Sequence, residues 1–117
     1  MKQDLINQYN IRLQNKTLRW EGFAENKTIR IIETCHPFLT DFLNDYSAED
    51  LTDYIIPETE KVMNGTCEEF ETGSATISVS VFIGKVDFYD HNMNFVGHIP
   101  VQDFKDICEG WRDFLIS

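Results

Sequence analysis

The sharpest pattern along the chain is an alternation. Ala75, Ile77, Val79, Val81 and Ile83 occupy one set of positions, and Thr76, Ser78, Ser80 and Phe82 occupy the other. A period of two predicts a half-buried strand. Gly84 breaks it, and Val86 with Phe88 resumes the alternation on a new strand. Asp90-His91-Asn92-Met93-Asn94 reads as a tight polar turn, and Phe95 to Ile99 as a further short strand. Upstream, Glu68, Phe70 and Thr72 alternate with Cys67, Glu69 and Glu71, and Thr72-Gly73-Ser74 marks the turn. About four strands over residues 67–99 follow from this. Their connections are too short for crossovers, so they form an antiparallel meander.

Helical spacing flanks the meander. Phe38, Leu39, Phe42, Leu43 and Tyr46 make one apolar face over residues 37–46, with Asp41 and Asp45 on the other side. Ser47 followed by Asp50 is the acid analogue of a capping box and predicts a short helix through Tyr54. Pro57 opens a further turn or two through Val62 and Met63, which Asn64-Gly65 ends. Pro100 opens the terminal helix. Val101, Phe104, Cys108, Trp111 and Leu115 step by three and four along one face, widened by Ile107 and Phe114. Asp103, Asp106, Gly110 and Asp113 step along the opposite face, which is expected to meet water. Gly110 there has no packing reason from this chain's own core, at a cost of about 1 kcal/mol against alanine.

The first thirty residues are harder to read. Leu5, Ile6, Tyr9 and Leu13 suit one short helix. Residues 17–23 suit a strand with Leu18, Trp20 and Gly22 on one face, and Ile29, Ile31 and Ile32 suit either a strand or a helix entry. The expected fold class is α+β: helices in the amino-terminal half, then the meander, then a carboxyl-terminal helix packed on the sheet.

Composition bounds what such a fold is for. A length of 117 residues is one domain over 1–117, able to bury roughly 65% of its unfolded surface. Aromatic residues make up 13% of the chain, too many for a disordered acidic tail. No apolar run approaches the roughly 20 residues of a membrane span, and the amino terminus lacks a secretory pattern. Cys35, Cys67 and Cys108 are odd in number and far apart, as reduced cysteines of a cytoplasmic protein would be. The Asn-x-Thr triplets at Asn15, Asn26 and Asn64 are then coincidental.

Charge changes the picture most. The net charge of −10 divides as +3 over residues 1–30, −10 over 31–84 and −3 over 85–117. The middle segment holds Lys61 as its one base against eleven acids. Such a field repels polyanions, which argues against direct binding of nucleic acid or anionic membrane, and attracts a basic partner. Helix-borne Asp41, Asp45, Glu49, Asp50 and Asp53 lack the interleaved bases that support helices. Glu69 and Glu71 share a strand face, with Glu68 beside them. Tyr89 alternates away from Val86 and Phe88 and is the candidate apolar anchor, with Phe82 also expected to be exposed. These eight acids and Tyr89 are the expected partner-binding residues. The plain alternative is that they form only a solvated surface.

Catalytic and metal patterns are weak. There is no Asp-x-Asp-x-Asp-Gly calcium loop, no paired Cys or His at zinc spacing, no Gly-x-Ser-x-Gly and no phosphate-binding glycine loop. The expectation is a protein with no cofactor, no metal and no catalytic residues.

The carboxyl-terminal third, from Ile83 through Leu115, resembles the end of small bacterial immunity proteins, including those of contact-dependent growth inhibition systems. In these, a strand meander leads to an Ile-Pro helix start, here Ile99-Pro100, and a helix closing on Trp-x-x-Phe-Leu, here Trp111, Phe114 and Leu115. The resemblance implies a cytoplasmic antidote to one cognate toxin domain. Many such toxins are basic nucleases, whose polarity an acidic antidote complements. A monomer is favoured. The competing expectation is an acidic type III secretion chaperone, a dimer that wraps an effector segment. A nucleic-acid mimic would instead bind several unrelated proteins.

Overall fold

The computed structural model describes residues 1–18 and 27–117. Its elements run α1 (Gln3–Tyr9), β1 (Arg12–Leu18), β2 (Lys27–Glu33), α2 (Pro37–Asn44), α3 (Ala48–Asp50), a π-helical segment (Leu51–Ile55), α4 (Ile56–Met63), β3 (Phe70–Gly73), β4 (Ile77–Val81), β5 (Lys85–Asp90), β6 (Phe95–Pro100) and α5 (Val101–Ile116). The α+β class is as expected. So are the four-stranded antiparallel meander, in the order β3-β4-β5-β6, and the terminal helix packed on it.

The amino-terminal region differs most from expectation. Leu13 does not continue the first helix. Asn10 takes the left-handed conformation at φ 49° and ends α1, and asparagine tolerates that geometry. Leu13 instead lies in β1, which pairs antiparallel with β2. The isoleucines at 29, 31 and 32 therefore belong to a strand, with Ile32 fully buried. The strand expected over residues 17–23, with Trp20 and Gly22, lies outside the described residues apart from Thr17 and Leu18, which end β1. Asn44 ties this hairpin to the rest of the fold: its side-chain oxygen accepts from the Ile32 N–H at 3.1 Å, and its amide donates to the Ile32 carbonyl at 2.9 Å.

Ser47 and Asp50 form the expected capping box, each side chain meeting the other's backbone N–H. The helix that follows does not stop at Tyr54. It runs on through α4 by way of the π-helical segment, where the Ile56 N–H bonds to the Leu51 carbonyl five residues back. Pro57 follows at once. Proline lacks an N–H, and its ring collides with the carbonyl four residues before it in regular α geometry. A widened turn at that point carries the chain past the proline without a break.

The core lies between the inner face of the meander and helices α2 and α5. Phe38, Phe42, Phe88 and Phe104 form its aromatic centre, with ring centroids 4.8–6.1 Å apart. Trp111 is buried, and its indole N–H donates to the Leu43 carbonyl at 2.9 Å, joining α5 to α2. The opposite face of α5 is drier than expected. Asp103 is half-buried and accepts from the Tyr9 hydroxyl at 2.6 Å. Gly110 is half-buried beneath Met1, whose side-chain carbons would lie 2.5–3.2 Å from an added Cβ. Gly110 thus has a packing reason in this chain. The amino terminus crosses it.

Candidate functional site

Strand register sorts the meander into two faces. Val79 faces Phe88 across β4 and β5, Val81 faces Val86, and Val86 faces Ile99 across β5 and β6. All five side chains are buried under α2 and α5. The other face carries the intervening residues. Glu71 of β3 stands opposite Ser80 of β4, Ser80 opposite Asp87 of β5, and Asp87 opposite His98 of β6. One position along, Ser78 stands opposite Tyr89, and Tyr89 opposite Phe95. Among the described residues, the helices that pack on the sheet, α2 and α5, lie on its inner side.

The outer face combines acids with aromatic rings. Phe95 is 56% exposed, and its ring lies 6.0 Å from that of Tyr89 and 6.2 Å from that of His98. Exposed Met93, in the left-handed conformation at φ 63°, closes the turn beside them. A shallow trough of about 260 Å³ runs along this face, lined by Glu71, Thr72, Ser78, Val79, Ser80, Tyr89 and Met93. Crowding around the Glu69 carboxyl, and then its hydrogen bond and repulsion with Glu71, hold Glu69 above the usual carboxylate range. Neither acid forms an ion pair with a base among the described residues.

Asp87 is the most unusual group on this face. It is only 7% exposed. Its Oδ2 lies 3.3 Å from Lys85 Nζ, and its Oδ1 is buried with no hydrogen-bond partner among the described residues. A buried acceptor left unmade costs about 1–3 kcal/mol. Lys85 Nζ also sits 5.9 Å from the Phe82 ring centroid.

The sequence-predicted acids fall into two groups. Glu69, Glu71 and Tyr89 belong to the outer sheet region, with Tyr89 half-buried rather than exposed, and Phe82 likewise. Glu68 precedes β3 and is exposed. Asp41, Asp45, Glu49, Asp50 and Asp53 belong to the helical side. Asp41 is exposed on α2, which packs against the inner face of the sheet. Asp45 accepts from the Thr76 hydroxyl at 2.9 Å. Asp50 is engaged in the capping box, and Glu49 and Asp53 are exposed. The ion pairs among the described residues are Lys61–Glu58, Lys85–Asp87, Lys105 with Glu60 and Glu109, and Arg112–Asp113. None of the eight predicted acids is in that set.

Sequence reasoning did not single out Asp87 or Ser80, and it left Phe95 and His98 out of the expected partner-binding residues. The signal was present, because the period of two that turns Val86 and Phe88 inward turns Asp87 outward beside Tyr89. Its near-complete burial was not readable, since that depends on neighbours from three strands. Among the described residues no group of three or more His, Cys, Asp or Glu is arranged to hold a metal, and no helix is long and apolar enough to cross a membrane. No known family's sequence profile matches the chain, and no curated protein or solved structure is significantly similar to it.

Proposed function

We propose that this protein is a cytoplasmic immunity protein, not an enzyme, that binds one basic toxin domain, a nuclease, and neutralises it through its acidic surface. The observation that carries the reading is the absence of basic partners. Asp41, Asp45, Glu49, Asp50, Asp53, Glu68, Glu69 and Glu71 pair with no Lys or Arg among the described residues. Glu69 and Glu71 stand close together on one strand face, and crowding and its neighbour Glu71 raise the Glu69 carboxyl above the usual carboxylate range. Like charges left unpaired on a folded surface weaken the compact state, and a basic partner relieves that repulsion on binding.

Nucleases bind phosphates through Lys and Arg. An acidic antidote meets the same side chains and keeps nucleic acid from them. Attraction of this kind acts at long range, raises the association rate well above that of a neutral pair, and weakens as salt rises. The resemblance of Ile99-Pro100 and of Trp111, Phe114 and Leu115 to small immunity proteins points the same way.

The test is charge reversal. Glu69→Lys with Glu71→Lys should slow association with the basic partner and leave the melting temperature nearly unchanged. Unchanged affinity at low salt would remove that strand from the interface.

A further inference from the structure

We infer that the outer edge of β6 receives an extended, basic segment of the partner, which adds to the sheet as a further strand. The inference rests on the function proposed above and names the form of the partner segment and the place where it docks.

The backbone is the first observation. β6 ends the sheet order, with β5 as its only strand neighbour among the described residues. The Val101 N–H bonds to the Gly84 carbonyl, and the Asp90 N–H to the Asn94 carbonyl. Bonded and non-bonded pairs alternate along an antiparallel ladder. In the observed register Val86–Ile99 and Phe88–Gly97 are therefore bonded pairs, and Phe95 and His98 turn their N–H and C=O groups away from β5. Outward backbone groups of this kind are a template for another strand, and main-chain bonds then hold it.

The side chains are the second. Edge strands are ordinarily blunted by lysine, proline or a bulge. β6 has Pro100 at one end and a register shift near the other, but no charged side chain between them. Phe95 and Val96 are instead exposed. A hollow of about 310 Å³ opens beside Val96, walled by Pro37, Phe38 and Ile77, with Asp41 and Asp90 also lining it. It offers a place for an apolar side chain of the added strand. Charge is the third observation and decides the occupant. Asp41 and Asp90 form no ion pair among the described residues, although Asp90 Oδ1 accepts from the Asn92 and Asn94 N–H groups. A segment that alternates apolar and basic residues meets both the hollow and these acids. A second copy of this chain would bring another net charge of −10 to the same edge, and like charges oppose that pairing.

The test is amide hydrogen exchange and NMR shifts on the full chain, with acetyl-Lys-Val-Lys-Val-Lys-Val-amide as the probe. In the free chain the Phe95 and His98 amides should exchange faster than those of Gly97 and Ile99. The probe should give saturable shifts along β6 and slow the exchange of Phe95 and His98. Its counterpart with every backbone amide methylated keeps the charge but lacks the donors, and should bind about tenfold more weakly, the value of two backbone hydrogen bonds. The Glu-Val counterpart should not bind. Val96→Lys should weaken the probe by opposing its charge. His98→Pro should weaken it by removing an outward N–H, a change that edge strands tolerate, and tests the site if Val96→Lys fails to fold. Equal binding of the methylated peptide, shifts spread over the helix-side acids, or indifference to both variants would overturn the proposal. So would protection of Phe95 and His98 that rises with protein concentration without the probe, which would assign the edge to a second copy. A purified basic partner separates the two levels. If Val96→Lys and His98→Pro leave its binding intact while Glu69→Lys with Glu71→Lys abolishes it, the β6 site is wrong and the antidote reading stands. If the probe pairs with β6 as described and no basic domain binds, the site stands and the antidote reading falls.

Discussion

Trp111→Ala is the most informative perturbation of the fold, because one residue closes both halves of the core. Trp111 is 1% exposed, stacks on Phe114 with centroids 5.9 Å apart, and donates its indole N–H to the Leu43 carbonyl. Truncating a buried tryptophan to alanine costs about 3–5 kcal/mol from lost contacts and the cavity left behind. The Leu43 carbonyl also loses its donor inside the core, so the loss should fall in the upper part of that range. Against a domain stability of about 5–15 kcal/mol, the variant should be folded but fragile. Urea titration followed by far-ultraviolet circular dichroism reads this directly. With a slope of about 1–3 kcal/mol per molar urea, the midpoint should drop by more than about 1 M. Trp111→Phe keeps much of the apolar packing while removing the donor, and should cost less than the alanine change, about 1–3 kcal/mol. A loss for the alanine variant within about 0.5 kcal/mol, the range of an ordinary surface change, would refute the placement of α5 on α2.

Three further outcomes follow from the geometry. Burial, and then the charge of Glu109, push the Cys108 thiol above its ordinary value of 9.0. Its contribution to stability is therefore complete below about pH 8.5 and is lost as pH rises, at about 1.4 kcal/mol per pH unit. Tyr9, raised above 10.0 by burial and by its bond to Asp103, steepens the fall at higher pH. Urea midpoints from pH 7 upward should show this, and Cys108→Ala should flatten its first part. Gly97→Ala should destabilise by about 1–3 kcal/mol, because the added Cβ would lie 2.5 Å from Phe38 Cε1 in a packed ring cluster, and differential scanning calorimetry checks it. Glu71→Gln should bring the Glu69 carboxyl down toward the usual range in a carboxylate NMR titration, since it removes the neighbouring charge. An unchanged titration would mean that Glu71 does not act on Glu69.

The sequence carried the carboxyl-terminal half of the fold almost completely. Alternation at residues 75–83 and the three–four spacing from Val101 to Leu115 are dictated by one buried face each, so the period alone orients every side chain. The hairpin of β1 and β2 was not legible for the opposite reason. It pairs through its own ladder and is tied to the fold by Asn44 and α2, contacts distant in sequence from the isoleucines they meet. Pro57 marked a helix boundary by local rules, yet tertiary packing of Leu51, Ile55, Ile56 and Val62 kept one helical path and moved the irregularity into a π turn. On the candidate surface the acids were legible as an excess of charge. Their division between the outer sheet face and a helical side was not, because it depends on which side of the sheet α2 and α5 occupy. Asp87 was legible as outward-facing but not as buried.

The central claim is that the unpaired acids exist to meet a basic protein. Affinity capture of the chain from its native lysate, washed at low and at high salt and followed by sizing of the eluate, tests this most directly. The expected result is one folded basic protein in a one-to-one complex that high salt releases and that the Glu69→Lys, Glu71→Lys variant fails to capture. A dimer of this chain holding an extended segment that salt does not release, or no partner at either salt, would contradict it.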